Sequence, residues 1–308
     1  MGSIDRSGWP RPLTGRLPNH CCGAKIGLVR AAVGARAMPE TFRLTEYLER
    51  IGISGPVRPD FATLAAIHAA HVEAIPFEGL DPFLGRQVRV DLPGIQDKLL
   101  ASRRGGYCFE QNTLLQAALE AIGFSVTGLA ARVRWMAPPD SPLGPRSHML
   151  LKVDLPEGPC VADVGFGACL LDRPLPLATD AEHGTAMGTF RLSRADDLFS
   201  LHVKQPAGWR TAYVFNLEPQ VPSDYELANW YTSTNPNVPF VGTLIMERLT
   251  RERRYKLVNR RHIIESRDGQ VLEERLIGSA DELARILDQT FHVSPPATAQ
   301  EIFERLAH

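Results

Sequence analysis

Residue types able to run nucleophilic acyl chemistry fall at Cys108, His148 and Asp163. A free thiol has a pKa of about 8.5 and is only slightly ionised at neutral pH, so a nucleophilic cysteine needs help from its surroundings. Cys108 follows Gly105-Gly106-Tyr107 and opens a segment in which Leu114, Leu115, Ala118, Leu119 and Ile122 recur at helical spacing. The glycines permit a turn with close backbone approach. A helix that starts at the cysteine aims oriented N–H groups and the positive end of its dipole at the sulfur. Taken alone, this segment fits a catalytic cysteine and a buried structural one equally well. His148 opens a strand-like stretch to Asp154, residues 155–159 read as a turn, and Asp163 lies near the end of the returning stretch, Cys160–Val164. Such a hairpin sets His148 and Asp163 within a pair or two of each other. Asp163 can then accept a hydrogen bond from one imidazole nitrogen and leave the other free to take a proton from Cys108, as a Cys-His-Asp triad requires. The blander reading is a histidine that fills a strand end and an aspartate that caps a turn.

The elements that must position these residues divide the chain. Residues 1–37 carry Arg6, Arg11, Arg16, Lys25, Arg30 and Arg36 against Asp5 and keep no period. They are expected to form a disordered leader, or to follow an upstream start with Met38 as the effective beginning. Ala35-Arg36-Ala37 has the form of a signal-peptide cleavage site, but Arg30 interrupts the apolar region before it. Residues 38–123 are predicted to be mostly helical. Leu44, Leu48 and Ile51 share a face that Gly52 ends, Asp60 is an N-cap for Phe61 to Glu73, Pro76 closes that helix, and a short amphipathic piece covers Ile95 to Ala101. The helix from Cys108 ends at Gly123.

Residues 124–222 turn to strands: Ser125 to Trp135, the hairpin above, Thr189–Ser193, Phe199–Gln205 and Arg210–Phe215, together a small barrel or curled sheet. Residues 223–308 mix a helical turn or two at Asp224 to Tyr231, strands at Val241–Arg248 and Arg254–Val258, a hairpin of His262–Ser266 and Val271–Leu276 about Asp268-Gly269, and a helix opened by the capping box Ser279-Ala280-Asp281-Glu282. The class is α+β.

Composition narrows the field. The 308 residues are 44% hydrophobic and 22% charged with net charge −1, enough for a core but without the field that holds nucleic acid or an anionic membrane. No apolar run is long enough to span a bilayer. Cys21, Cys22, Cys108, Cys160 and Cys169 contain no CxxC pair and suit neither a disulfide framework nor zinc, which points to a reducing compartment, the cytoplasm.

The run Arg103-Arg104-Gly105-Gly106-Tyr107-Cys108-Phe109-Glu110, with Asn112 after it, resembles the RGGYCFE…N active-site motif of the arylamine N-acetyltransferases of bacterial type. Ile75-Pro76-Phe77-Glu78, Ser147-His148, Asp163-Val164-Gly165-Phe166-Gly167 and Asn229-Trp230-Tyr231-Thr232-Ser233-Thr234 resemble further segments of that family, in its order and spacing, over about residues 40 to 290. The resemblance implies three domains, an N-terminal helical bundle, a central β-barrel and a C-terminal α/β lid, around a Cys-His-Asp core like that of cysteine proteases. It implies ping-pong transfer through an acetyl group on Cys108, with acetyl-CoA as donor, no metal, and an arylamine, arylhydrazine or N-hydroxyarylamine as acceptor, a role in xenobiotic metabolism. Phe77, Phe166 and Phe240 are the implied walls for that acceptor.

Gly79 and Asn235 depart from the family pattern where substrate contacts are implied. A macrolactam-forming amide synthase of the same family, and an amide hydrolase or transglutaminase with the same triad, are the competing activities. Glu110 and Asn112 are expected to brace the cysteine loop, and Cys160 and Cys169 to be small buried hydrophobes. The basic run Arg248, Arg251, Arg253, Arg254, Lys256, Arg260 and Arg261 fits a solvated strand face better than a cradle for CoA phosphates. No residue is assigned to coenzyme A, and the oligomeric state is open.

Overall fold

In the computed structural model of the chain, residues 42–138, 140–168, 170–205, 208–267 and 269–306 are described. The expected leader, Cys169 and the Asp268 turn position lie outside them. The helical part contains α1 (Leu44–Arg50), α2 (Phe61–Ala74), α3 (Leu80–Phe83), α4 (Leu92–Gln96), which continues as a π-helical turn at Asp97–Ala101, and α5 (Cys108–Ile122). Local chemistry sets their ends. Asp60 accepts from the Thr63 N–H at 2.8 Å and starts α2. Gly123, at φ 106°, takes the left-handed conformation that terminates α5. Leu114, Leu115, Ala118 and Leu119 are fully buried on α5, and α1, α2 and α4 pack against it.

An eight-stranded antiparallel sheet follows, from β2 (Ser125–Val133), β3 (Arg146–Asp154), β4 (Cys160–Ala162), β5 (Leu175–Pro176), β6 (Glu182–Thr185), β7 (Gly188–Ala195), β8 (Leu198–Gln205) and β9 (Gly208–Phe215), in the order β5-β4-β3-β2-β9-β8-β7-β6. Only residues 177–181 separate its two edge strands in sequence, and the sheet curls into a nearly closed, barrel-like form. Its inner face and the α5 face share one apolar core that also contains Cys108.

A second sheet joins β10 (Ile245–Leu249), β11 (Arg253–Val258), β12 (Arg261–Ser266) and β13 (Val271–Leu276) as an antiparallel meander. Its other edge is β1 (Phe77–Glu78), a two-residue strand from the helical part, with Phe77 opposite Glu247 and Glu78 opposite Met246. The remaining helices are α6 (Pro222–Thr234), α7 (Pro239–Gly242), α8 (Ala280–Arg285), which continues as a π-helical turn at Ile286–Thr290, and α9 (Ala299–Arg305). A smaller core of Leu244, Met246, Leu257, Leu283, Phe291 and Ile302 lies on this sheet.

Two expectations are corrected here. The strand predicted over Val241–Arg248 begins only at Ile245, because Pro239 at the first helical position starts the turn α7. The basic run is not one solvated face. Arg254 is buried between Glu247 (3.2 Å) and Glu265 (3.6 Å), Lys256 pairs with Glu265 (2.9 Å) and Arg261 with Glu274 (2.7 Å), while Arg251 and Arg253 are exposed.

Candidate active site

Each member of the predicted triad sits at the end of an element or within reach of one. Cys108 is the first residue of α5. His148 lies two residues inside β3, and Asp163 follows directly on β4. The β3–β4 ladder pairs Leu151 with Ala162, so one more step would set Asp163 opposite Leu150, two residues from His148. Asp163 leaves the ladder there and turns its carboxylate to the imidazole. His148 Nε2 lies 2.7 Å from Asp163 Oδ2. Cys108 lies close enough to the same imidazole to help raise its pKa. Cys108 Sγ is also 3.8 Å from the Ser147 carbonyl. All three residues are buried.

The approach is close because Gly165 has no side chain. A Cβ there would stand 2.5 Å from Cys108 Cα and 2.8 Å from Asn112 Nδ2. Gly105 is similarly constrained, since its Cβ would meet the Pro76 carbonyl at 2.0 Å.

Asp163 is saturated with donors. Besides His148 it accepts from Asn112 Nδ2 (3.0 Å), the Gly165 N–H (2.9 Å) and the Tyr213 hydroxyl (2.9 Å). Burial alone would raise its pKa, but His148 and these hydrogen bonds hold it below the usual carboxylate value. Burial would likewise push His148 down. The Asp163 carboxylate, its hydrogen bond and the neighbouring Cys108 overcome that and raise the imidazole to about 10. The site therefore keeps a protonated imidazole beside the sulfur, with the carboxylate as its counter-charge.

The cysteine loop rests on a buried ionic cluster. Lys98 bridges Asp81 (2.6 Å) and Glu110 (2.7 Å), and Arg104 bridges Glu78 (2.7 Å) and Asp81 (3.1 Å). Glu110 Oε2 accepts from the Tyr107 N–H at 3.1 Å, which caps α5 in front of Cys108. Burial raises Glu110, and despite Lys98 it titrates at about 7. Asn112 donates to the Met149 carbonyl (2.8 Å) and accepts from the Val164 N–H (3.1 Å), so it ties β3 to the aspartate segment. Both residues contact the frame of the site, not its sulfur.

Phe166 packs on His148 (ring centroids 5.0 Å) and Tyr213 (5.2 Å). Phe77 and Phe240 lie 5.9 Å apart, Phe240 lies 5.8 Å from Tyr107, and Gly167 leaves room for the Phe77 ring. A cavity of about 790 Å³ between residues 85–91 and α6 is lined by none of these residues. Cys160 is buried in β4, and burial pushes its thiol up. Among the described residues no His, Cys, Asp and Glu cluster is arranged for a metal ion, and no helix is long and apolar enough to cross a membrane. Tyr213, His68, Lys98 and Asp81 were not singled out from sequence. Tyr213 sits in a strand-like run with nothing to mark it, and the others are ordinary helix residues until the fold gathers them.

A buried thiol at a helix start, beside an imidazole oriented by a carboxylate, is chemically suited to nucleophilic acyl transfer. Similarity to known proteins points the same way. The sequence model of the N-acetyltransferase family matches residues 60–298. The arylamine N-acetyltransferase of Mycolicibacterium smegmatis is 40% identical over 245 residues, covering 79% of this chain and 87% of that protein. An arylamine N-acetyltransferase / N-hydroxyarylamine O-acetyltransferase of Salmonella typhimurium is 35% identical over 233 residues, 76% and 82% of the two chains. The structure of the Mycobacterium marinum arylamine N-acetyltransferase in complex with CoA superposes with a TM-score of 0.81 at 33% identity, covering 85% of this chain and 98% of that one. The chain belongs to the arylamine N-acetyltransferase family and is an acyltransferase.

Proposed function

We propose that the protein transfers acetyl groups from acetyl-CoA to arylamines, arylhydrazines or N-hydroxyarylamines by a ping-pong mechanism through acetyl-Cys108. The observation that carries this is Cys108 at the start of α5, beside an imidazole that Asp163 holds by a 2.7 Å hydrogen bond. In the first half-reaction the Cys108 sulfur attacks the thioester carbonyl, the bond from that carbon to the CoA sulfur breaks, and the leaving thiolate takes the proton of His148. In the second, the amine nitrogen attacks the acetyl carbon, the bond to Cys108 breaks, and His148 takes the amine proton. Asp163 holds the imidazole in one tautomer and stabilises its cationic form. First-turn N–H groups of α5 have no helical carbonyl to bond, and the Cys108 N–H is assigned to the oxyanion.

Phe77, Phe166 and Phe240 form the wall for the aromatic acceptor in this reading. Residues 38–123, 124–222 and 223–308 act as helical domain, barrel and lid around a core of cysteine-protease type, working in the cytoplasm on xenobiotic aromatic amines. The Mycobacterium marinum complex with CoA and the two activities in the Salmonella typhimurium name support the choice of substrates.

The test is intact-protein mass spectrometry after mixing with acetyl-CoA and no acceptor. One acetyl group should appear on Cys108, vanish on addition of an arylamine, and be missing in Cys108→Ala. A Cys108→Ala protein that still acetylates an arylamine at the wild-type rate ends the proposal.

A further inference from the structure

Helix α2 places two fully buried histidines behind this site, His68 and His71, and their hydrogen bonds assign a proton to each ring. His71 lies between Tyr47 and Gln111, with Tyr47 Oη 2.9 Å from Nδ1 and Gln111 Oε1 2.7 Å from Nε2. The Gln111 amide nitrogen is committed elsewhere. It donates to the carbonyls of Pro76 (2.8 Å) and Gly106 (3.2 Å). Its oxygen must therefore face His71 as an acceptor, which puts the His71 proton on Nε2. Nδ1 is then bare and accepts from the Tyr47 hydroxyl. Every donor in this relay points the same way, from α1 through α2 to α5.

The relay ends on the two carbonyls that shape the cysteine loop. Gly106 O also accepts from the Glu78 N–H at 3.0 Å, and the Pro76 carbonyl is the atom against which Gly105 is wedged. Gln111 itself stands one turn along α5 from Cys108. An amide group has no intrinsic preference for either orientation. Turned over, Gln111 would set its oxygen against both loop carbonyls.

His68 is wired in the opposite sense. The Asp163 backbone N–H donates to its Nε2 at 3.2 Å, so the proton belongs on Nδ1. That nitrogen is buried and has no partner among the described residues. Burial pushes both rings down, to about 3 for His68 and about 4 for His71, and they stay neutral at working pH.

We infer that His68 and His71 are positioning residues locked in opposite neutral tautomers, His68 fixing the Asp163 backbone and His71 fixing the cysteine loop through Gln111. The inference rests on the reading of Cys108 as the acylated nucleophile.

Long-range proton–nitrogen correlation on isotope-labelled histidine reads the tautomers directly in the wild-type protein at neutral pH. The expected result is His71 protonated at Nε2 and His68 at Nδ1. The same tautomer at both rings, or a charged His71, overturns the inference whatever the variants do. Kinetics then tests the consequence. In His71→Leu, single-turnover acetylation of Cys108 should slow by about tenfold to a hundredfold, the cost of a small misplacement, with the KM for acetyl-CoA unchanged. His71→Gln, which can still present an N–H to Gln111, should recover most of the rate. A folded His71→Leu protein that acetylates at the wild-type rate refutes the role of His71. Failure of wild-type Cys108 to acetylate at all is a different result, and sinks the function proposed above instead.

Discussion

Replacing Asp163 with asparagine isolates the electrostatic part of the site. The side chain keeps its shape, and its oxygen can still accept from Asn112 and the Gly165 N–H at the Oδ1 position. The amide group then occupies the Oδ2 position, 2.7 Å from His148 Nε2. It donates there, so Nε2 becomes the acceptor and the proton moves to Nδ1, the nitrogen needed by Cys108. The charge is lost as well. Carrying His148 from 6.5 to about 10 corresponds to about 5 kcal/mol in favour of the imidazolium, at about 1.4 kcal/mol per pKa unit. Asp163 is the foremost contributor to that rise. Loss of most of it predicts acetylation of Cys108 slower by on the order of a thousandfold, with the fold retained. Single-turnover acetylation followed by mass spectrometry, beside a thermal melt, measures both. A rate within about tenfold of wild type, in a protein that melts normally, would refute the argument and leave Asp163 a structural residue.

Other outcomes follow from the same geometry. The His148 pKa is raised on folding, so its contribution to stability is complete below about 6.5 and is lost as pH climbs through about 10. That of Asp163 is lowered, so its contribution is present above 3.8 and is lost as pH falls through the depressed value. Acetylation of Cys108 should therefore persist into the alkaline range and fail near pH 10, and in Asp163→Asn the limb should move towards the ordinary imidazole value; superimposable pH–rate profiles contradict this. Gly165→Ala drives a methyl group against Cys108 Cα and should cost about 1–3 kcal/mol of stability while slowing acetylation at least about tenfold; wild-type kinetics would show that the segment yields without moving the sulfur. Phe240→Ala removes a ring packed on Phe77 and Tyr107 and should raise the KM of an aromatic acceptor about tenfold, well beyond any effect on acetylation. Equal effects on both half-reactions would place Phe240 in the frame and not in the acceptor wall.

The parts of the fold that were legible in the sequence are those governed by neighbours in the chain. Asp60 at the start of α2, Gly123 at the end of α5 and the capping-box serine before α8 each act within a turn, and the first and third start helices and the second ends one where expected. The β3–β4 and β12–β13 hairpins were visible for the same reason. Elements that depend on distant partners were not. β1 is two residues long and exists because β10 lies beside it, and β6 is a short edge strand that pairs with β7. Val241 to Ile245 has the β-branched look of a strand, but Pro239 fixes a helical φ two residues earlier and delays the strand. Thr298 and Glu301 form a capping box, a local signal in the sequence for the start of α9. Cys108, His148 and Asp163 were candidates by residue type and spacing, and the resemblance to the family motifs singled them out. The donors to Asp163 from Tyr213 and the contact with His68 were not, since those residues lie 50 and 95 positions away in the chain.

The placement of β1 has a consequence for the order in which the enzyme can be made. Phe77 and Glu78 are held on one side by Gly106 of the cysteine loop and on the other by β10. The loop's outer support is therefore encoded far downstream of Cys108. A ribosome adding about 5–20 residues per second needs on the order of ten to thirty seconds to travel from Glu78 to Leu249. During that interval α5 and the barrel strands can collapse on one another, but the thiol's loop lacks its flanking sheet. A nascent chain carries the residues of the proposed chemistry well before it can hold them still, so on that reading the cysteine's reactivity waits for the last third of the polypeptide.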